Sequence, residues 1–340
     1  MIMEPILQLK NLSISFDTAN GEVEAVRDVN LSLQKGEILA IVGESGCGKT
    51  VLGQSVLKLL PKNSRIKEGQ IIVDGEDITN YKEKKMRNLR GPALSMVFQD
   101  PMTTLNPTIP IGKQITESIL KHNKVSREEA KKIAIEMLHL VGIDDPVYRI
   151  SLQPHFFSGG MRQRCVLAIA LASNPKILFA DEPTTSLDVT VQAKILDLLL
   201  DIRDKTGISI VFISHDLGVV ARIADRVAVM YAGKVVEIGT AEEVFYDPCH
   251  PYTWGLLSAL PSNTTEGENL RSIQGMPPVM MDPPPGDAFA VRNEYALKID
   301  YEEMPPMFQI SPTHFTATWL LDERAPKVEV PLSLKRSISI

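Results

Sequence analysis

From Ile6 to Phe16 the chain reads ILQLKNLSISF, apolar and polar residues in alternation, which predicts a strand with one dry face and one wet face. A different pattern follows in ILAIV (Ile38–Val42), KILFADEP (Lys176–Pro183) and ISIVFISHD (Ile208–Asp216). These runs are apolar almost without interruption and end in polar or charged residues, as central strands of a parallel sheet covered on both faces do. VLGQSVLKLL, just after the first of them, has helical spacing. SREEAKKIAIEMLHLVGI is the clearest helix: Ser126 and Glu129 form a capping box, apolar residues fall at Ala130, Ile133, Met137, Leu138 and Val141, and Gly142 supplies the stop. RVAVMYAGKVVEIG reads as a hairpin turning at Ala232-Gly233. Helix and strand signals alternate from Ile38 to about Gly239, so the class is α/β.

After HPYTWGLLSALP the texture changes. Residues 261–286 are rich in Pro, Ser, Thr, Asn and Gly and read as a linker or an extended wrap. A compact tail with Phe289, Tyr295, Phe308, Phe315 and Trp319 is expected to run to about Val330, with a loose end over 331–340.

A chain of 340 residues accommodates one large domain and a smaller one. Its net charge of −6 provides no general attraction for nucleic acid or anionic lipid. Glu4 and Lys10 interrupt the apolar core a secretory signal would need, and no uncharged apolar run approaches the roughly 18–20 residues of a membrane helix. Cys47, Cys165 and Cys249 are odd in number and widely spaced, without the framework of a disulfide-stapled or zinc-binding protein. The expectation is a cytoplasmic protein.

The chemistry begins at GESGCGKT, Gly43–Thr50, which matches G-x-x-x-x-G-K-[ST] between a predicted strand and a predicted helix, the context that motif requires. Glycines let backbone N–H groups curl around phosphate oxygens, and the new helix points its positive end at the same anion. Lys49 would neutralise the β- and γ-phosphates, and the Thr50 hydroxyl would ligate Mg²⁺. Asp181 ends an apolar strand, placed to hold the metal's water shell, and Glu182 beside it can orient and deprotonate an attacking water. Read by itself, an Asp-Glu pair is common. His215 ends another strand, where α/β folds bind ligands, although a lone histidine is more often structural. Ser158-Gly159-Gly160 opens an apolar helix with bare backbone, in spite of the roughly 1 kcal/mol that each glycine costs a helix.

Taken together, GESGCGKT, VFQDP, FSGGMRQR, ILFADEPTTSLD and FISHD resemble, in order and spacing, the ATPase cassette of ABC transporters over about residues 5–260. The resemblance implies a P-loop NTPase with a RecA-like core, an antiparallel β subdomain and a helical subdomain at about 102–160, binding ATP and Mg²⁺. It implies that two cassettes dock head to tail, so that Ser158, Gly159 and Gly160 face a partner's nucleotide and Asp188 lies in the loop crossing the interface. Phe16 matches the aromatic position that stacks on adenine. Gly43, Glu44, Ser45, Gly46, Cys47, Gly48, Lys49 and Thr50 form the phosphate loop. By the same resemblance Gln99 would sense Mg²⁺ and γ-phosphate, Glu182 would be the catalytic base and His215 the γ-phosphate switch.

FQDPMTTLNPTIPIGKQI, EPTTSLDVTVQAKILDLL and DPCHPYTWGLLSALP are similar to the peptide-importer branch, which also takes up nickel and metal chelates, and residues 261–330 resemble its C-terminal extension. That implies a second, homologous cassette in a heterodimer, two membrane-spanning permease subunits and an extracytoplasmic binding protein, with this chain peripheral at the cytoplasmic face of the membrane. Di- or oligopeptide is the first choice of cargo, nickel or a chelate the second. A non-transport cassette acting on ribosomes or DNA would be expected to carry two cassettes or a long coiled-coil insertion. Many members of the branch hold an iron–sulfur cluster on four cysteines of the extension. The matching positions here are Asp287, Asn293, Asp300 and Thr318, hard oxygen and amide groups, so no cluster is expected.

Overall fold

The computed structural model describes residues 4–185, 187–260 and 273–330. The expected loose end at 331–340 and the linker positions 261–272 lie outside the described residues. The described residues form two compact units, one of 80–213 with Leu33–Glu37 and 4–6, the other of Leu7–Ser32, Ile38–Thr79 and those described from Ser214 to 330.

The second unit begins with β1 (Leu7–Thr18), β2 (Gly21–Leu33), β3 (Ile38–Val42), α1 (Lys49–Val56), β4 (Ser64–Val73) and β5 (Glu76–Asp77). The alternation read from Ile6 to Phe16 is the half-buried β1, in a sheet ordered β2-β1-β4-β5. β1 and β4 are antiparallel, with Leu7 opposite Val73 and Phe16 opposite Ser64, and their register shifts between Lys10 and Ser13. Asn11 has φ 47° at that bulge. Gly69 lies against it at φ 94°, where a Cβ would come within 2.5 Å of the Lys10 and Asn11 carbonyl oxygens, so only glycine fits.

The first unit holds α2 (Glu83–Leu89), β6 (Leu94–Val97), α3 (Pro101–Thr104), α4 (Ile111–His122), α5 (Arg127–Leu140), α6 (Pro146–Arg149), α7 (Gly159–Leu171), β7 (Ile177–Asp181), α8 (Val189–Thr206) and β8 (Ser209–Ser214). β8, β7 and β6 lie side by side and parallel, Ile177 facing Ser209 on one edge and Leu94 on the other. All five residues of β7 are buried, which accounts for its unbroken apolar run. α4, α5 and α7 pack together. The Ser126–Glu129 capping box opens α5. Its buried stripe is Ala130, Ala134 and Leu138, one i, i+4 row; Ile133 and Met137 lie half-buried at its edge rather than at its centre.

The chain then returns to the second unit with α9 (Leu217–Ile223), β9 (Arg226–Tyr231), β10 (Lys234–Thr240), α10 (Ala241–Tyr246), α11 (Pro251–Ser258), β11 (Phe308–Gln309) and β12 (Phe315–Thr316). β3 runs parallel to β9, and β9 turns into β10 through Ala232 (φ 46°) and Gly233 (φ 81°), the paired positive angles of a type I′ hairpin. β12 adds to β10 with Glu237 opposite Thr316, so residues on both sides of the 261–272 stretch share a sheet. Phe289 packs edge-on against Tyr231 and Tyr252, and Tyr295 against Trp254. Among the described residues no helix is long and apolar enough to cross a membrane.

Candidate active site

β3 is buried along its whole length and delivers the chain into Gly43. At Gly43 (φ 152°) a Cβ would lie 2.1 Å from the Met230 carbonyl oxygen, and at Gly48 (φ 101°) 2.3 Å from that of Ala25. Both glycines are required by backbone that passes too close for any side chain. Gly48 caps α1 without a side-chain acceptor, which leaves the helix's positive end to the loop. The Lys49 ammonium is buried and donates to the carbonyl oxygens of Gly43 (2.7 Å) and Glu44 (2.9 Å). Ser45, Gly46 and Thr50 are exposed, forming the open rim of the loop. A cradle of strained glycines around a held cation fits a polyphosphate, and an exposed hydroxyl next to it suits a magnesium ion.

Cys47 also lies in this loop, but inside it: the side chain is buried with its Sγ 3.6 Å from Lys49 Nζ. Burial pushes the thiol up from its ordinary value, and the Lys49 charge offsets only part of that. The sequence places this cysteine in the phosphate loop; the fold packs its side chain inside that loop.

In the other unit, Asp181 ends β7, buried. Glu182 follows in left-handed backbone, φ 46°, a conformation that costs a non-glycine residue about 1–3 kcal/mol and persists only where its surroundings impose it. Its N–H donates to the Ile213 carbonyl at 2.9 Å, tying the turn to β8. Its carboxylate Oε2 accepts from Gln99 Nε2 at 2.9 Å and from Thr185 Oγ1 at 3.0 Å. The structure therefore joins two of the expected residues, Gln99 and Glu182, and adds Thr185. A carboxylate held by two donors yet only half-buried is aimed and still reachable by water, as a general base must be.

His215 is exposed directly after β8. Its neighbour Asp216 fixes the turn, accepting from the Gly218 and Val219 N–H groups and donating its own N–H to Ser214 Oγ at 3.0 Å. Phe16, in β1, is half-exposed, as a ring that stacks on a ligand should be.

Ser158 is the N-cap of α7, its Oγ accepting the Met161 N–H. The two glycines after it differ. A Cβ at Gly160 would meet Val191 at 2.5 Å, whereas one at Gly159 would meet nothing within 4 Å. In-chain packing therefore accounts for Gly160 and leaves Gly159 unexplained. Asp188 caps α8 by accepting the Val191 N–H at 2.9 Å.

The four positions where the branch carries cluster cysteines all accept backbone N–H groups: Asp287 from Phe289, Asn293 from Tyr295, Asp300 from Leu297 and Thr318 from Leu320. Each oxygen closes a local turn. Burial, reinforced by Asp287, raises the Asp300 carboxyl above the ordinary range, against its backbone hydrogen bond.

Two residues near the phosphate loop had no local signal. Tyr252 OH accepts the Glu44 N–H at 2.8 Å, and Arg292 forks the Glu44 carboxylate. They lie 208 and 248 positions away, so no motif could have pointed to them.

A glycine cradle with a caged lysine, and a strained glutamate braced at the end of a buried strand, define an ATPase of the P-loop class. Residues 26–185 match the ABC transporter family, and residues 236–299 the oligopeptide/dipeptide transporter C-terminal region. The chain belongs to the ATP-binding subunits of that family. The oligopeptide transport ATP-binding protein OppD of Bacillus subtilis is 58% identical over 332 residues, 97% of this chain and 93% of its own. The dipeptide transport ATP-binding protein DppD of Lactococcus lactis is 54% identical over 329 residues, 96% of this chain and 94% of its own. Among solved structures, a dimeric bacterial ABC transporter cassette superposes with TM-score 0.62 at 28% identity, covering 69% of this chain and 98% of that one.

Proposed function

We propose that this ATPase powers uptake of di- and oligopeptides across the cell membrane. It works beside a second, homologous cassette under two membrane-spanning permease subunits, at the cytoplasmic face, with an extracytoplasmic binding protein delivering cargo. Residues 1–260 are the cassette, with the helical subdomain at about 102–160; 261–330 are the extension and 331–340 a tail. The peptide assignment is supported by relatives named for oligopeptide and dipeptide transport that align along nearly the whole chain. Nucleic acid is not a partner, in keeping with a net charge of −6.

The observation that carries the hydrolytic reading is the bracing of Glu182 by Gln99 and Thr185 in strained backbone. Lys49 and the loop N–H groups of Gly43–Thr50 hold the ATP phosphates, and Phe16 stacks on the base. Thr50, Gln99 and Asp181 would hold Mg²⁺, directly or through water, and the chemistry it would supply there is screening of phosphate charge. Glu182 orients the attacking water and accepts its proton, and His215 contacts the γ-phosphate. Ser158, Gly159 and Gly160 present helix N–H groups to the nucleotide of the partner cassette, with Asp188 at the crossing. The open space at Gly159 supports this role, because among the described residues no heavy atom lies within 4 Å of where its Cβ would stand. The extension holds no iron–sulfur cluster: Asp287, Asn293, Asp300 and Thr318 are engaged as turn acceptors and are hard donors.

The test is ATP hydrolysis by the assembled complex in proteoliposomes, with and without binding protein loaded with mixed di- and oligopeptides. Stimulation by peptide, lost in Glu182→Gln, is expected. Stimulation by nickel or a chelate but not by peptide would overturn the cargo and leave the ATPase standing.

A further inference from the structure

Arg292 lies in the C-terminal extension, yet its guanidinium reaches the phosphate loop. Nη1 donates to Glu44 Oε2 at 2.6 Å and Nη2 to Glu44 Oε1 at 2.9 Å, a two-pronged pair. The other donors are also taken: Nε binds the Gln274 carbonyl at 2.8 Å, Nη2 that of Gly275 at 3.2 Å, and Nη1 the Tyr231 hydroxyl at 3.2 Å. All five N–H groups of the side chain are therefore used, and the side chain is 4% exposed. Glu44 is held at its other end as well, its N–H donating to Tyr252 OH. The second residue of the phosphate loop is thus clamped by its carboxylate and by its backbone. Lys49 is bonded to the carbonyl of the same Glu44.

This arrangement is more than a surface ion pair. A buried, bidentate arginine fixes direction as well as distance. Its target belongs to a loop whose glycines sit at φ 152°, 82° and 101°, backbone that must be held in shape before a phosphate arrives. The alternative is that Arg292 only pins the extension in place. The bonds to Gln274 and Gly275 lie within the extension and the one to Tyr231 already ties it to the cassette; only the fork on Glu44 reaches the phosphate loop itself.

We propose that Arg292 is a positioning residue for ATP: the extension sets the shape of the phosphate loop through Glu44 and thereby tunes nucleotide affinity. The inference rests on the assignment of Gly43–Thr50 as the nucleotide site. It is tested with the full chain and the assembled complex, comparing Arg292→Gln, Arg292→Lys, Glu44→Gln and the Arg292→Gln/Glu44→Gln double variant. Nucleotide affinity is read by titration with Mg-ATP, and turnover and thermal midpoint are read in parallel. The inference predicts that Arg292→Gln weakens ATP binding about tenfold, the scale of losing a charge-assisted pair, with kcat at saturating ATP within about twofold. Arg292→Lys, which keeps the charge but loses the fork, falls between. The double variant is no worse than the worse single, because both remove one interaction. If Arg292→Gln does not fold, Arg292→Lys and Glu44→Gln complete the same cycle. Unchanged ATP affinity in folded variants would overturn the inference. So would losses that multiply in the double, or a falling thermal midpoint and kcat with affinity intact, the mark of a purely structural pin. Absence of ATP binding in the unmodified chain would instead overturn the nucleotide-site assignment itself.

Discussion

Gln99 Nε2 donates to Glu182 Oε2 across 2.9 Å, joining the glutamine after β6 to the carboxylate after β7. Thr185 Oγ1 shares that oxygen at 3.0 Å. The carboxylate proposed as the catalytic base is thus aimed by a side chain from its own turn and by one from a neighbouring strand end.

Glu182→Gln keeps the shape and removes the carboxylate proposed as the base. ATP turnover should fall by a factor of at least about 100, the usual scale for a general base, while ATP binding persists and the two-cassette assembly accumulates. Steady-state hydrolysis with nucleotide titration checks both parts.

Thr185→Val deletes one donor to the Glu182 carboxylate without touching charge. A lost hydrogen bond of about 1 kcal/mol corresponds to roughly a fivefold drop in kcat, with KM for ATP unchanged. A change confined to KM would mean that Thr185 contacts nucleotide instead of aiming Glu182.

Gly159→Ala and Gly160→Ala should separate packing from docking. A methyl at Gly159 enters open space, so the thermal midpoint should hold or rise, since alanine is favoured in a helix by up to about 1 kcal/mol. On the proposed docking of this helix start against a partner cassette's nucleotide, turnover of the assembled complex should nevertheless fall about tenfold or more. Gly160→Ala instead meets Val191 and should lose about 1–3 kcal/mol of stability.

The buried pair of Glu237 and His314, 2.8 Å apart, predicts a pH dependence. Burial works to lower the His314 value, but the hydrogen bond to Glu237 and the charges of Glu237, Glu243 and Asp247 leave it raised above 6.5. A raised folded value favours the protonated ring in the native state. The stabilisation is complete below the unfolded value and fades as pH rises through the folded one. Thermal midpoints taken upward from about pH 6 should decline in the native protein, and His314→Gln should lack that part of the slope.

What could be read from the sequence was local. The phosphate loop, the Ser126–Glu129 box and the Ala232-Gly233 turn are each decided within a few residues, so residue order sufficed. Ile133 and Met137 lie at the edge of the buried row in α5, because periodicity identifies an apolar face but not which neighbours cover it. Cys47 sits inside the phosphate motif yet is buried, a consequence of its packing beneath Lys49 that spacing does not encode. Thr185 lies in a quoted motif, but its bond to Glu182 depends on the left-handed turn between them. Arg292 and Glu44 are 248 positions apart and meet only through the folded chain.

The central claim, a cassette that powers a peptide importer, is tested most directly by capturing this chain from gently solubilised native membranes and identifying its companions by mass spectrometry. The account predicts two multi-span proteins and a second, homologous cassette in equal amounts. Recovery with ribosomes or DNA, or with nothing from the membrane, would contradict it.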